Sequence, residues 1–417
     1  MENIIDELNW RGLIKDYSNE EEVKKLFSTP QTVYCGFDPS AVSMHIGNFV
    51  MISILMRLQR AGHCVIAVVG GATGMIGDPS GKSKERNLLD TDSLNTNTTA
   101  MRNQLGRFID LNDSKKGIMV NNYDWLSKLS MLDFLRDYGK YFPINYMLSK
   151  DVVASRLESG ISYTEFSYML LQSVDFLHLH KHYGCSVQIG GSDQWGNLTS
   201  GLELIRKIEG PKAKVGIMTS HLITKSDGKK FGKSEDGALF LDPKLTSPYK
   251  LYQYFINTTD EDAVKYLKIF TFLTRLEIEG IAKEHFAAPG LRIAQKALAF
   301  EIVKVVHGEL AAQNAIRMSK ALFSGDVKSL SKEELQDVLG TLTVETSEEM
   351  AIEDLLIKIG AASSKREARE FITGKSVTIN GETMSELGKV IQKQDSLFNE
   401  YTVIRRGKKN YYLVKHL

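Results

Sequence analysis

Two short segments of this 417-residue chain carry side chains suited to binding the phosphates of a nucleotide. In His45-Ile46-Gly47-Asn48, the histidine and the asparagine offer hydrogen bonds one helical turn apart, and the glycine lets a phosphate approach the backbone. Residues 225–234, KSDGKKFGKS, could neutralise the charge of a pyrophosphate leaving group in the transition state. Taken alone, the first segment also fits an ordinary helix start with an incidental histidine, and the second fits a solvated basic loop.

A further set of polar residues is predicted to face a ligand from one helix and two turns. Tyr168, Gln172 and Asp175 lie at positions i, i+4 and i+7 of a predicted helix, so they share one face among Met, Leu and Phe side chains. A partly exposed polar stripe is the alternative interpretation. Residues 70–86 and 188–197 are glycine-containing turns after strands, and the first of them lacks the GxxxxGK[ST] spacing of a P-loop.

The elements that would position these residues form an α/β pattern. Short apolar runs, each near a helical pattern, predict strands at residues 32–37, 64–69, 118–120, 186–189 and 215–218. Alternating strands and helices predict a doubly wound parallel sheet. Such a sheet binds ligands beyond the carboxyl ends of its strands, where the strand order reverses.

After the last of these strands, the sequence first becomes mainly helical in pattern, and a small mixed region follows a polar stretch. The predicted fold class is a Rossmann-like doubly wound parallel sheet, followed by an α-helical domain and a small α+β domain. The predicted boundaries are 1–247 for the Rossmann-like catalytic domain, 248–322 for the helical domain, 323–350 for a polar linker and 351–417 for the small domain.

Composition limits the class of protein. The 52 Lys and Arg residues balance 51 Asp and Glu residues, so the whole molecule gives no electrostatic reason to expect nucleic acid. Cys35, Cys64 and Cys185 are widely spaced without a CxxC motif, which favours a reducing cytoplasm. We expect no signal peptide and no membrane span, since no apolar run approaches about 18 residues. His178, His180, His182 and Cys185 suggest a zinc site, but no second ligand pair accompanies them, so we expect no metal site.

The C-terminal residues are locally basic. Residues 361–417 contain eleven Lys or Arg and six Asp or Glu. Lys365, Arg366 and Arg369 lie on a predicted capped helix, and residues 403–414 are predicted to form a closing hairpin. This pattern resembles the S4-type RNA-binding module, with salt-sensitive contacts to phosphates. A solvated basic helix on a structural appendage is the alternative.

The order of the two phosphate-binding segments resembles the two signatures of class I aminoacyl-tRNA synthetases. With residues 70–86, 163–175 and 188–197, the resemblance narrows to bacterial tyrosyl-tRNA synthetases and covers essentially the whole chain. It implies activation of L-tyrosine with ATP to tyrosyl-adenylate, then transfer to the 3′ end of tRNA(Tyr). It also implies Mg²⁺ as the partner of ATP, no tightly bound cofactor, a homodimer, and a helical domain on the anticodon side.

The resemblance also implies roles for individual residues. The tyrosine-binding residues would be Tyr34, Asp78, Tyr168, Gln172, Asp175 and Gln188. The ATP-binding residues would be Gly36, Asp38, His45, Gly47, Asn48, Gly191, Asp193, Gln194, Lys230, Lys233 and Ser234. The catalytic residues, which would stabilise the phosphorus centre during attack, would be Ser40, His45, Lys82, Arg86, Lys230 and Lys233.

This chain departs from the general class pattern at three positions. Asn48 replaces a second histidine, and Phe231 and Gly232 replace methionine and serine. Two alternatives remain at this point. One is a tryptophanyl-tRNA synthetase, although an indole only donates a hydrogen bond, and Tyr34 with Asp175 suits a phenol better. The other is an RNA-binding splicing or regulatory factor that has kept the synthetase fold.

Overall fold

The computed structural model describes residues 3–80, 89–158, 160–226, 228, 231–234, 237–407 and 410–417, with the backbone alone for 233 and 234. The chain divides into two compact units. The first comprises Met1–Leu245 and Glu261–Ala282, and the second comprises Thr246–Asp260 and Lys283–Leu417. This division differs from the four predicted segments in assigning residues 261–282 to the first unit. The two units do not by themselves test the four boundaries, which stay a prediction.

A six-stranded sheet forms the centre of the first unit. Its strands are β1 (Asp16–Tyr17), β2 (Thr32–Phe37), β3 (Cys64–Val69), β4 (Gly117–Asn121), β5 (Cys185–Gly191) and β6 (Gly216–Ser220). The order is β1-β6-β5-β2-β3-β4, and every pair is parallel except β1 with β6. Strand β3 is buried from its second residue to its last because the apolar run CVIAVV has helices on both faces to pack against. The predicted doubly wound parallel sheet is confirmed.

Several helices of this unit begin at a residue whose side chain caps the first turn. The Ser162 side chain accepts the N–H of Glu165 at the start of one helix, which ends at Gly184 in the left-handed conformation (φ 63°). The helices are α1 (Ile4–Trp10), α2 (Glu20–Leu26), α3 (Ile46–Arg60), α4 (Thr73–Ile76), α5 (Thr91–Phe108), α6 (Tyr123–Leu126), α7 (Met131–Asp133), α8 (Ile144–Leu148), α9 (Asp151–Ala154), α10 (Tyr163–Tyr183) and α11 (Trp195–Glu209). A two-stranded hairpin, β7 (Lys233–Ser234) with β8 (Gly237–Ala238), follows the sheet.

Buried arginines tie residues 261–282 to the rest of the first unit. These residues contain most of α13 (Asp260–Phe270) and the start of α14 (Arg275–Ala287). Arg11 donates to the carbonyl of Lys268 at 2.9 Å, and Arg57 donates to the carbonyl of Thr271. Lys268 lies in the last turn of α13, and Thr271 directly follows the helix. Carbonyl groups at a helix C-terminus have no hydrogen-bond partner within the helix, so the two arginines supply one.

The second unit joins a group of helices to a small sheet. Its helices are α12 (Pro248–Ile256), α15 (Ile293–His307), α16 (Glu309–Ser324), α17 (Lys332–Leu339), α18 (Ile352–Lys358) and α19 (Lys365–Thr373). Its strands are β9 (Thr343–Thr346), β10 (Met350–Ala351), β11 (Val377–Ile379), β12 (Glu382–Thr383), β13 (Val390–Ile391), β14 (Tyr401–Arg406) and β15 (Asn410–His416). The main sheet has the order β12-β11-β14-β15-β9, and β14 with β15 forms the predicted hairpin.

The segment predicted as a polar linker contains regular structure. Within residues 323–350, α17 buries Leu335 and Leu339 against Tyr401 and Leu413 of the sheet, and β9 pairs in parallel with β15. Residues 323–350 therefore contain a packed helix and a paired strand, and the predicted linker boundaries stay a prediction. Among the described residues, no helix is long and apolar enough to cross a membrane.

Candidate active site

A cavity of about 550 Å³ opens at the carboxyl ends of β2 and β5. The chain runs from β2 through β3 to β4 on one side and from β5 to β6 on the other, so the strand order reverses between β2 and β5. That reversal is where open α/β sheets bind ligands. Fourteen of the predicted site residues line the cavity: Tyr34, Gly36, Asp38, Ser40, His45, Asn48, Asp78, Tyr168, Gln172, Asp175, Gln188, Gly191, Asp193 and Gln194.

The remaining predicted residues of the first unit are not among the described residues that line the cavity. Gly47 is in the first turn of α3 but not in the cavity wall. Lys82, Arg86 and Lys230 lie outside the described residues. Lys233 and Ser234 are described as strand β7, by their backbone only.

Tyr34 and Asp175 form the most deeply buried polar part of the cavity. The Tyr34 side chain is 1% exposed, and its hydroxyl has no hydrogen-bond partner among the described residues. Burial raises the pKa of this phenol, so it stays protonated and can donate. Burial also raises the pKa of the Asp175 carboxyl to about 7, against the lowering effect of its hydrogen bonds. A donor and an acceptor therefore face the same space.

Two residues that the sequence interpretation missed hold Asp175 in place. The indole N–H of Trp125 donates to Oδ1 at 2.8 Å, and the amide of Asn122 donates to Oδ2 at 3.0 Å. Asn122 directly follows β4, and Trp125 lies in the short helix α6 after it. The signal available in the sequence was the position of Asn122 at the carboxyl end of a predicted parallel strand.

The same amide connects Asp175 to Asp38 through a chain of hydrogen bonds. Asn122 also donates to the hydroxyl of Thr73 at 3.0 Å, and Thr73 donates to Oδ1 of Asp38 at 2.9 Å. The hydroxyl of Tyr168 donates to Oδ2 of Asp38 at 3.0 Å. Both oxygens of Asp38 are thus held, which fixes the carboxylate at the start of the turn after β2. Thr73 is a third residue that the sequence interpretation missed.

A second carboxylate, Asp78, is held by side chains from α11 and the turn before it. Gln194 donates to its Oδ2 at 2.6 Å, and Asn197 approaches its Oδ1 at 3.4 Å. Burial and the charge of Asp78 both raise the pKa of Asp193. With Asp38 and Asp175, these residues place four carboxyl groups in one cavity, which favours a ligand that carries a cation and several hydroxyl groups.

At the other side of the cavity, His45 and Asn48 cap the start of α3. The Nδ1 atom of His45 accepts the N–H of Gly47 at 3.1 Å, and the Asn48 side-chain oxygen accepts the N–H of His45 at 3.0 Å. A side chain at Gly47 would clash with the His45 ring, whose atoms lie 2.9 Å from the position that a β-carbon would take. Burial lowers the pKa of His45, so the neutral imidazole presents its Nε2–H. Asn48 therefore serves as a cap without needing a charge.

The lysine segment (residues 225–234) is linked to the same helix start through Leu239, the residue after its hairpin. Ile46 donates its backbone N–H to Leu239 at 2.8 Å, and Leu239 donates to Gly232 at 3.0 Å. His45 also forms an isolated bridge with Phe240, which lines the cavity. The two segments that could bind phosphate thus meet through backbone hydrogen bonds.

The predicted RNA-binding residues lie on α19 in the second unit. Arg366 is the most exposed, with 90% of its side chain accessible, and it pairs with Glu370 at 3.1 Å. Lys365 pairs with Asp354 at 2.7 Å, and Arg369 lies 3.7 Å from Glu353. Each basic group therefore has an acidic neighbour, which reduces the net positive field of this face.

The histidines of α10 do not converge on one point. His178 stacks on Trp125 with ring centroids 4.4 Å apart and neighbours His182, whereas His180 contacts the carbonyl of Cys185 and the carboxylate of Glu209. Within the described ranges, no group of three or more His, Cys, Asp or Glu residues could hold a metal ion.

Comparison with known proteins assigns the chain to a class. The family model of class I tRNA synthetases (W and Y) matches residues 27–324. The crystal structure of a C-terminally truncated mitochondrial tyrosyl-tRNA synthetase from Aspergillus nidulans has a TM-score of 0.71 and 33% identity, covering 78% of this chain and 95% of that one. A tyrosyl-tRNA synthetase from Archaeoglobus fulgidus, complexed with L-tyrosine, shares the fold with a TM-score of 0.54 and 18% identity. The match covers 75% of this chain and 99% of that one. The fold is that of this class.

The C-terminal part and the full-length relatives narrow the assignment. A model of the tyrosine–tRNA ligase SYY-like C-terminal domain matches residues 332–414. A tyrosine–tRNA ligase of Listeria monocytogenes is 52% identical over 99% of this chain and 100% of the relative. A tyrosine–tRNA ligase of Staphylococcus carnosus is 50% identical over 99% of each chain. The chain belongs to the tyrosine–tRNA ligase family, which confirms the predicted family and not the tryptophanyl alternative.

Proposed function

We infer that this chain joins L-tyrosine to tRNA(Tyr) in two steps. Tyrosine first reacts with ATP to give tyrosyl-adenylate and pyrophosphate, and the tyrosyl group then passes to the 3′ end of the tRNA. The observation that carries this inference is the pair of Tyr34 and Asp175 in the buried part of the cavity. The Tyr34 hydroxyl lacks a partner among the described residues, and an unpaired buried polar group costs about 1–3 kcal/mol. A ligand hydroxyl would recover that cost.

A phenol suits this pair better than a phenyl ring or an indole. A phenol oxygen can accept from Tyr34 and donate to Asp175 at the same time, whereas a phenyl ring would leave the Tyr34 hydroxyl unpaired and give Asp175 no hydrogen bond. Sites built to bind a substrate hydroxyl strongly reject the analogue that lacks it, and tyrosyl-tRNA synthetases are themselves the established example of this behaviour. We therefore expect tyrosine to be preferred over phenylalanine.

The cavity offers a place for each other part of the two substrates. Asp78, Tyr168 and Gln172 would bind the ammonium group of tyrosine, with Gln188 beside the ring. The turns after β2 and β5 would hold the adenylate, through Gly36 and Asp38 on one side and Gly191, Asp193 and Gln194 on the other. These assignments are supported by the shared cavity wall and by the negative charge it carries.

The phosphates would lie near the start of α3. His45 and Asn48 face the cavity there, with Ser40 close by in the preceding turn, and the N-terminus of a helix favours anions. Lys82, Arg86, Lys230 and Lys233 would supply the positive charge that the described wall lacks, and Ser234 would donate a hydrogen bond. Mg²⁺ would enter as the partner of ATP. Catalysis would then depend on position and electrostatics, without a covalent enzyme intermediate.

Tyrosine-dependent exchange of pyrophosphate into ATP tests this function. We expect exchange with tyrosine and far less with phenylalanine or tryptophan. Asp175→Asn removes a charged acceptor and Tyr34→Phe removes a neutral donor, so the first change should weaken the preference for tyrosine over phenylalanine more. Activation of tryptophan in place of tyrosine by the unaltered protein would refute the proposal.

The part of the chain from residue 248 onward would bind tRNA. The helices over residues 248–322 would face the anticodon side, and Lys365, Arg366 and Arg369 would contact phosphates from the S4-like domain over residues 351–417. We place this activity in the cytoplasm, where tRNA charging takes place and where the free thiols of Cys35, Cys64 and Cys185 would stay reduced.

A homodimer is supported by exposed apolar side chains in one stretch of the first unit. Met131, Leu132 and Ile144 are 73%, 78% and 62% exposed. Exposed apolar groups concentrated in this way favour an interface with another protein surface. We expect sedimentation of the purified protein as a dimer and of the Leu132→Asp, Ile144→Asp double variant as a monomer. The control is Leu276→Asp, which changes a residue 81% exposed elsewhere and should stay dimeric. A monomeric unaltered protein would contradict the proposal.

A further inference from the structure

Helix α13 contacts the lysine segment ahead of Lys230. Ser226 donates its backbone N–H and its hydroxyl to Oδ2 of Asp262, at 3.0 Å each. The Asp262 side chain is 4% exposed, so these bonds form away from water. One turn further along the helix, the hydroxyl of Tyr266 donates to the carbonyl of Thr224 at 3.3 Å.

The same helix contacts the segment again after Lys230. Phe231 stacks on Phe270 with ring centroids 5.0 Å apart and an interplanar angle of 15°, and it meets the edge of Tyr266 at 5.1 Å. Tyr266 and Phe270 are fully buried. Tyr266 therefore contacts Thr224, directly before the segment, by its hydroxyl and Phe231, within the segment, by its ring.

Helix α13 is itself held in the first unit. Arg11 and Arg57, each 5% exposed, donate to carbonyls at its C-terminal end. A helix fixed in this way provides a rigid support, and groups that act in a transition state need such support to keep their geometry.

We propose that Asp262, Tyr266 and Phe270 are positioning residues for adenylate formation, because they hold the two sides of the lysine segment at a fixed separation. None of the three is among the described residues that line the cavity, so they act through Lys230 and Lys233. This inference rests on the proposed role of those lysines. It also explains Phe231, one of the departures from the class pattern, since an aromatic ring there can stack on Phe270.

The test measures single-turnover formation of tyrosyl-adenylate together with the Kd for tyrosine. Asp262→Asn keeps the size of the side chain and weakens its hydrogen bonds from Ser226, so we expect the rate to fall about tenfold. The Kd for tyrosine should stay within about twofold, because tyrosine binding does not use the lysines. Glu261→Gln, an exposed change on the same helix, should leave both quantities unaltered.

A double-mutant cycle with Lys233→Ala separates positioning from general damage. In the Lys233→Ala background, Asp262→Asn should cost clearly less than about tenfold, because one of the two charges that it positions is already gone. An equal loss in both backgrounds, or no loss from Asp262→Asn alone, would overturn the proposal. If Lys233→Ala itself had no effect on the rate, the proposed role of the lysines would fail instead.

A milder variant covers the case in which Asp262→Asn fails to fold. Tyr266→Phe removes only the hydroxyl that donates to Thr224 and keeps the ring against Phe231. We expect a rate loss of about threefold with an unchanged Kd for tyrosine. A folded Tyr266→Phe protein with an unaltered rate would count against the proposal.

Discussion

Gly232 leaves no room for a β-carbon beside Ile46. A carbon placed there would lie 2.8 Å from Cγ2 of Ile46, and Gly232 has a φ of +75°. Ile46 is the first residue of α3 and follows His45 directly. The lysine segment therefore rests on the helix start that carries the proposed catalytic histidine, and only glycine satisfies both the contact and the backbone conformation.

Replacement of this glycine should slow adenylate formation. Gly232→Ala would push the segment away from α3 and add backbone strain of about 1 kcal/mol or more. Gly228→Ala is the matched control, because Gly228 has nearly the same φ, +76°, but nothing within 4 Å of its β-carbon position. Single-turnover rates should fall more for Gly232→Ala than for Gly228→Ala. Equal losses would show that backbone strain alone matters.

Loss of a lysine should affect the rate and not the binding of tyrosine. Lys230→Ala or Lys233→Ala would remove charge that meets the phosphates chiefly in the transition state, so adenylation should slow by at least about a hundredfold. The Kd for tyrosine should hardly change. Lys244→Ala, which removes an exposed lysine nearby, should keep the normal rate. A variant with weak tyrosine binding and a normal rate would place these lysines in the amino-acid pocket.

The affinity for tyrosine should rise with pH through neutrality. Asp175 has a pKa of about 7 in the ligand-free protein because it is buried. Above that pH it is ionised and accepts a charge-assisted hydrogen bond, which should strengthen binding about tenfold over the protonated form. Equilibrium dialysis between about pH 6 and pH 8 measures this effect. Asp175→Asn should remove the pH dependence, and a dependence that survives the change would belong to another group.

The same raised pKa should make the ligand-free protein less stable as the pH rises, whereas the affinity for tyrosine increases. Its folded value of about 7 exceeds the ordinary 3.8, so the folded state binds the proton more tightly than the unfolded state. The contribution of Asp175 to stability is fully present below pH about 4 and is lost as the pH rises through about 7. Asp175→Asn should flatten this part of a plot of unfolding free energy against pH, measured with urea.

Removal of a basic side chain from α19 should weaken tRNA binding and leave tyrosine activation intact. Arg366→Ala should lower the slope of log K against log salt by about 0.7–0.9 if Arg366 contacts one phosphate. Lys389→Ala, which removes an exposed lysine from another part of the same domain, serves for comparison. An identical response to both changes would argue against a specific contact by the helix.

A truncation is a poorer test than these point changes. A chain cut near Glu345 would divide β9, which pairs with β15, and would expose Leu335 and Leu339 of α17. Loss of tRNA binding in such a variant would then report unfolding as well as lost contacts.

Local patterns predicted five of the six strands of the sheet and one polar stripe of the cavity wall, and the family resemblance supplied the other predicted lining residues. The strands were predictable because runs such as Cys64–Val69 are apolar throughout, and the polar stripe was predictable because Tyr168, Gln172 and Asp175 share a helical face. Each of these signals lies within about 20 residues of sequence, which is the range over which periodicity can be read.

Contacts between distant residues were not predictable in this way. Trp125 lies in a helix of four residues and reaches Asp175 across 50 positions, so no local pattern marks it. Strand β9 was hidden because its partner β15 lies about 70 residues further on, and its sequence, Thr343–Thr346, is polar. Helix α17 looks like a solvated acidic segment, and only the sheet beneath it explains why Leu335 and Leu339 are buried.

Trp125 should also give the pocket an optical signal. Its indole stacks on His178 and donates to the carboxylate that would meet the substrate phenol, so we expect its fluorescence to change when that carboxylate changes charge or binds the substrate. The other two tryptophans, Trp10 and Trp195, do not contact Asp175 among the described hydrogen bonds. Tyrosine binding can therefore be followed by intrinsic emission without a label, and Trp125→Phe should abolish most of the change.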